Sequence, residues 1–156
     1  MAYHFELSLF DQQGQRKYLN QEERRRFYEA ANIQEREDIR LFCLVLFFTG
    51  ARISEVVNLR KTNIDFSNKS VIIQTLKRRR RDIFRQLPLP DFLLDELKKY
   101  IDGLDIQSSK MKDSLWGFST RSASRYIKSV MNEADIKGVK SSALGLRHGF
   151  AVHAVT

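Results

Sequence analysis

Leu41-Phe42-Cys43-Leu44-Val45-Leu46-Phe47-Phe48 is an unbroken apolar run, and Gly50 follows just behind it. It is far shorter than the roughly 20 residues that cross a bilayer. A helix with no polar face is stable only when other elements wrap it. The spacing predicts a core helix from about Glu35 to Thr49, ended by Gly50, so the rest of the chain must supply its covering.

That covering is legible in outline. Asn20 and Glu23 have the spacing of a capping box, which predicts a helix from Gln21 to about Ala31 with Phe27, Ala30 and Ala31 turned inward. A short helix is expected over Arg52–Leu59. Three β segments follow at 63–66, 70–75 and 82–87, separated by Ser67-Asn68 and by the basic run Lys77–Arg81. Pro88-Leu89-Pro90 ends the sheet, and Pro90 can open a helix that carries Leu93, Leu94, Leu97 and Ile101 at helical spacing. The stretch Asp102–Ser114 reads as a polar loop. Two more helices are predicted, Ser122–Glu133 with Tyr126, Ile127 and Val130 as its apolar stripe, and a last one from about Leu144. The first 20 residues read either as two short strands around a turn at 11–14 or as a frayed tail. No repeat, low-complexity tract or linker interrupts the 156 residues. The expected fold class is therefore α+β, mainly α-helical with a small antiparallel sheet, in one domain over residues 1–156.

Charge narrows the partners. Lys and Arg number 27 against 19 Asp and Glu, a formal charge of +8, which favours a polyanion such as nucleic acid, although many basic proteins bind none. Cys43 is the single cysteine, which excludes a disulfide framework and a zinc cluster and fits a reducing cytoplasm. Met1–Phe10 lacks the basic start and continuous apolar stretch of a secretory signal.

Four features carry candidate chemistry. Lys77, Arg78, Arg79, Arg80 and Arg81 are either a solvated charged face or, at a hairpin tip, a set of cations within reach of phosphates; Arg85 continues them on the outgoing strand. Arg121, Arg125, Lys128, Lys137, Lys140 and Arg147 form a second basic concentration, and two surfaces of one sign suggest a clamp. Arg52 stands between apolar helices and must be paired or functional; a salt bridge to Glu55 is the structural alternative. Arg147 lies between Leu146 and Phe150-Ala151-Val152, where its structural alternative is an arginine that snorkels to the surface.

These residues also carry a family resemblance. Thr49-Gly50-Ala51-Arg52-Ile53-Ser54-Glu55 with Leu59 resembles the first arginine box of the tyrosine recombinases, the phage-integrase type. Val71–Pro90 is similar to that family's β-hairpin, with Lys77 the best match to its lysine. Gly145-Leu146-Arg147-His148-Gly149-Phe150-Ala151 resembles the second arginine box, and Trp116–Ala134 looks like the segment that precedes it and lays a helix in the DNA major groove. The resemblance covers the chain from about Leu19 onward. It implies a recombinase catalytic domain acting on double-stranded DNA, in which a tyrosine attacks the scissile phosphodiester and leaves a covalent 3'-phosphotyrosine. Arg52 and Arg147 would hold the non-bridging oxygens where negative charge develops. Lys77 would protonate the departing oxygen, with Glu55 and His148 in supporting places and Arg78–Arg81, Arg121, Arg125 and Lys128 on DNA. No metal or cofactor is implied.

Two departures qualify the expectation. Leu144 occupies the place of the second box's first histidine, and leucine neither donates a hydrogen bond nor moves a proton; His148, one position after Arg147, is either a packing residue or part of the site. No tyrosine follows Tyr126, itself either a packing residue or a phosphate contact, so the family's nucleophile has no match here. The expectation is an incomplete catalytic domain, without the N-terminal core-binding domain and the C-terminal tyrosine-bearing segment, unable to cleave DNA alone. It would be a bacterial, phage or plasmid product in the cytoplasm, able to associate with itself or with full-length recombinase protomers. The alternatives are a non-catalytic DNA-binding regulator or remnant on the same scaffold and, with less to favour it, an RNA-binding module built on the arginine run.

Overall fold

A computed structural model describes residues 9–75, 83–107 and 113–154. Among the described residues six helices and a three-stranded sheet follow in the order α1 (Gln21–Asn32), α2 (Glu37–Thr49), α3 (Ile53–Val57), β1 (Ile64–Asp65), β2 (Ser70–Gln74), β3 (Phe84–Pro88), α4 (Asp91–Gln107), α5 (Thr120–Glu133) and α6 (Ala143–Ala154). A 3-10 turn, Lys61–Asn63, leads into β1. Helix α2 touches all five other helices. Its Leu41–Val45 stretch is fully buried, as a helix apolar on every side requires.

The helix ends follow from local chemistry. Asn20 Oδ1 accepts from Glu23 N–H at 2.8 Å while Glu23 Oε1 accepts from Asn20 N–H at 2.9 Å, closing the expected capping box of α1. Gly50 ends α2 with φ 64°, a left-handed turn that glycine makes without steric cost. It also leaves room for α6: a Cβ built on Gly50 would lie 2.2 Å from Phe150 Cδ1. At Gly149 a Cβ would lie 2.7 Å from the Leu19 carbonyl oxygen, so α6 packs closely against the chain just ahead of α1. Leu19 N–H donates to Gly145 O at 3.1 Å and reinforces that contact.

The sheet is antiparallel in the order β1-β2-β3. Register pairs Ile64 with Val71, and Val71 and Ile73 with Leu87 and Arg85. Val71 and Ile73 are fully buried, whereas β3 alternates, with Arg85 and Leu87 half-buried between the exposed Phe84, Gln86 and Pro88. Trp116 ties the segment ahead of α5 to α3, its Nε1–H donating to Val56 O at 2.8 Å.

Several boundaries differ from the sequence reading. The helix expected from Arg52 to Leu59 is the five-residue α3, with Arg52 extended at its N-cap. Pro90 lies one residue ahead of α4, where its carbonyl accepts from Leu93 and Leu94 N–H. The stretch read as a loop from Asp102 begins as helix: α4 continues through Gly103 to Gln107, because the packed face that includes Leu93, Leu97 and Ile101 carries its polar last turns along. Near the N-terminus the expected pair of strands is a single bridge between Phe10 and Arg16 around a turn, and residues 1–8 lie outside the described ones.

Candidate functional site

The break between α2 and α3, strand β3 and helix α6 meet around a cavity of about 440 Å³, lined by Thr49, Gly50, Arg52, Thr75, Arg85 and Arg147 among others. Each cation arrives by a different local rule. Gly50 reverses the chain so that Arg52 caps α3 instead of continuing α2. Alternation along β3 turns Arg85 to the face it shares with Leu87. On α6, Arg147 lies in the turn before Phe150, the residue held against Gly50.

Glu55 organises the site. Its side chain is fully buried and holds the fork of Arg85, with Nη2 to Oε1 at 3.0 Å and Nη1 to Oε2 at 3.1 Å. Oε1 also accepts Arg52 N–H at 3.0 Å. Burial pushes the Glu55 carboxyl up, but the Arg85 hydrogen bonds, the Arg52 amide and the charges of both arginines outweigh it and hold the carboxyl below its ordinary value. Arg85 Nη1 donates in addition to Thr75 Oγ1 at 2.9 Å, so its guanidinium is fixed at both edges.

The structural alternative for Arg52 is realised only in part. Its backbone amide bonds Glu55, but its guanidinium comes no closer than 3.9 Å to Oε2; the side chain is 40 % exposed and lines the cavity. Arg147 does not snorkel. Its Nη1 is buried without a hydrogen-bond partner among the described residues. Burial lowers its pKa first, the charges of Arg52 and Arg85 push the same way, and Glu55 opposes them. A guanidinium does not deprotonate in a protein, so among the described residues the arrangement is a pre-formed cationic site beside one carboxylate that is already paired. An anion in the cavity would relieve the mutual repulsion and satisfy the free donor.

Other predicted site residues fall elsewhere. Lys77, Arg78, Arg79, Arg80 and Arg81 lie outside the described residues. His148 is not part of the cavity lining and meets the Lys17 backbone instead; burial is the larger influence and lowers its pKa. Arg121 and Arg125 are exposed on α5. Lys128 has a structural partner, its Nζ donating to Ser141 O at 3.1 Å and tying α5 to the approach of α6. Tyr126 packs edge-on against Phe118 and accepts a hydrogen bond from Arg36 at 3.2 Å. Leu144 is 57 % exposed. Sequence reasoning noted Arg85 only as part of a basic run and overlooked Thr75; the alternation of β3 was the available signal for Arg85.

Among the described residues no group of three or more His, Cys, Asp and Glu side chains is placed to hold a metal ion, and no helix is long and apolar enough to cross a membrane. The exposed large apolar side chains include Ile33, Phe84, Val139 and Leu144, at separate places along the chain.

Residues 17–155 match the phage integrase family. The chain belongs to that family. The tyrosine recombinase XerA of Thermococcus onnurineus is 30% identical over 145 residues, covering 88% of this chain and 48% of that protein. A tyrosine recombinase of Thermosipho africanus is 30% identical over 129 residues, covering 83% of this chain and 43% of that one. The chain thus spans about half the length of the curated relatives it matches. Among solved structures, XerA recombinase superposes with a TM-score of 0.72 at 26% identity, covering 88% of this chain and 50% of XerA. The catalytic domain of bacteriophage HP1 integrase superposes with a TM-score of 0.61 at 22% identity, covering 87% of this chain and 70% of that domain; that likeness is one of fold. XerH bound to its difH substrate superposes at 0.74 and 20% identity, covering 97% of this chain and 50% of XerH, also a likeness of fold.

Proposed function

We propose that this chain is the arginine-bearing part of a site-specific tyrosine recombinase and grips double-stranded DNA through the scissile phosphate, working in the cytoplasm as a bacterial, phage or plasmid product. The observation that carries the reading is the buried Nη1 of Arg147, without a hydrogen-bond partner among the described residues, in one cavity with the half-exposed Arg52 side chain. Two planar forks match the two non-bridging oxygens of a phosphodiester and stabilise the charge that grows there as an oxygen nucleophile attacks. The exposed Arg121 and Arg125 of α5 and the basic run Lys77–Arg81 would add phosphate contacts alongside, and Lys77 would serve as the acid for the leaving oxygen.

The nucleophile is a tyrosine outside this site. None of Tyr18, Tyr28, Tyr100 and Tyr126 lines the cavity, and the hydroxyl of Tyr100 is bonded to Leu115 O at 2.9 Å. The 156-residue polypeptide is therefore expected to bind duplex and to form no covalent adduct on nicked duplex by itself. One observation favours a second reading, a DNA-binding regulator without cleavage: Leu144, where the family's histidine would stand, is exposed in the first turn of α6 and offers no proton or donor.

Fluorescence anisotropy on a labelled duplex at several salt concentrations tests the reading. Binding should weaken steeply as salt rises, and R52A and R147A should each weaken it by about tenfold, the equivalent of one charge-assisted contact. Salt-insensitive binding, or both variants binding as well as the parent, would overturn it.

A further inference from the structure

Glu55 is a buried carboxylate one turn from Arg52, and it can pair with only so many guanidiniums. Arg85 takes both of its oxygens in a fork, while Arg52 contributes its backbone amide to Oε1 and keeps its side chain 3.9 Å from Oε2. Thr75 holds Arg85 from the other edge. A buried carboxylate left without this partner would draw the nearest remaining cation, and the nearest is Arg52. We propose that Arg85 is a positioning residue: by occupying Glu55 it keeps the Arg52 guanidinium beyond hydrogen-bonding distance of that carboxylate and in the lining of the anion cavity.

This inference rests on the reading of the cavity as a phosphate site, yet its central step is internal to the protein. The fork is essential to it. A lysine offers a point charge and cannot bond both carboxylate oxygens in the same planar geometry. The sheet supplies the rest: Arg85 is paired across β2 with the fully buried Ile73, so its backbone is anchored while its side chain reaches α3. The sequence run Lys77–Arg81 suggested that Arg85 is one more phosphate contact; the geometry instead gives it a fixed carboxylate partner.

The experiment is NMR of the Arg52 side-chain N–H signals in the whole 156-residue chain without DNA, followed by titration with a labelled duplex. In R85Q the Arg52 signals should move to the position and slow exchange of a carboxylate-bound guanidinium, and duplex affinity should fall by about tenfold, as expected when one charge-assisted contact is lost. The double variant E55Q/R85Q removes the competing carboxylate and should return both the Arg52 signals and the affinity toward the parent values. A merely structural role for Arg85 predicts no such rescue. Unmoved Arg52 signals in R85Q, or a double variant as impaired as the single, would overturn the proposal. If R85Q does not fold, R85K replaces it, and parental Arg52 signals in R85K are equally fatal. A parent chain that binds no duplex would instead refute the phosphate-site reading, because the Arg52 signals without DNA report on the Glu55 competition alone.

Discussion

Replacing Gly50 by alanine tests the contact that brings the two arginine segments together. Gly50 follows α2 and stands two residues before Arg52, while Phe150 follows Arg147 by three, and the ring of Phe150 lies over the bare Cα of Gly50. A Cβ there would meet Phe150 Cδ1 at 2.2 Å, Cγ at 2.5 Å and Cε1 at 2.9 Å. Because Cγ does not move when the ring turns about its own axis, that rotation cannot clear the clash, and either Phe150 must change its χ1 rotamer or α6 must retreat. Two costs add. Holding alanine at φ 64° costs about 1 kcal/mol, and overpacking an interface adds about 1–3 kcal/mol. Together they come to about 2–4 kcal/mol; a domain of this length loses roughly 2–4 °C in Tm per kcal/mol, so G50A should melt about 4–16 °C below the parent.

The two costs separate in a double-mutant cycle. In an F150A background the steric part disappears and only the backbone part of about 1 kcal/mol remains, so G50A and F150A should be coupled by about 1–3 kcal/mol. Urea denaturation followed by circular dichroism, with the slope m checked for constancy across the four proteins, measures this directly. An equal cost for G50A in both backgrounds would refute the steric account and leave only backbone strain. A loss below about 0.5 kcal/mol would refute both.

Three further outcomes are expected. Glu55 is held below its ordinary carboxyl value in the folded chain, so its contribution is complete above its unfolded value of about 4.5 and is lost as the pH falls through the lowered folded value; stability measured from pH 6 downward should decline less in E55Q, and parallel curves would show that Glu55 makes no such contribution. Asn20→Ala opens the capping box of α1 and should cost about 1 kcal/mol in urea unfolding, whereas Asn20→Asp should cost much less. Cys43 is fully buried, and burial pushes its thiol up to about 12, so a thiol reagent should label it only at the rate of unfolding; rapid labelling of the native chain would contradict its place in the core.

The parts of the fold visible in the sequence are those set by local chemistry or by one strong period. The apolar run of α2, its glycine stop, the capping box at Asn20 and the stripe of Ile127 and Val130 on α5 all correspond to elements in the structure, because each is decided within a turn or two of chain. The misread stretch after Asp102 has the opposite cause. Asp102, Gly103 and Asp105 are poor helix formers, but they extend a helix already fastened to the core through Leu93 and Leu97, and propagation from an existing helix is far easier than nucleation. Arg52 was read inside its helix because a run with Ile53, Val56 and Val57 has helical spacing; the structure places it at the cap, where its N–H turns back to Glu55.

At the site, the sequence could identify Arg52 and Arg147 as unusual because each interrupts an apolar pattern. It could not say which arginine neutralises Glu55. The spacing rule for helices favours Arg52, three residues away, and on an exposed helix that pairing would be the natural one. Burial reverses the choice. A carboxylate withdrawn from water needs both oxygens satisfied, and a guanidinium anchored on a neighbouring strand can present its fork to both, whereas Arg52 gives Glu55 its backbone amide and, with Arg85 in place, keeps its guanidinium 3.9 Å from Oε2. The partner therefore comes from 30 residues away, across an α3–β3 contact that no local pattern encodes. The arginine closest in sequence is the one whose guanidinium stays beyond hydrogen-bonding distance of Glu55.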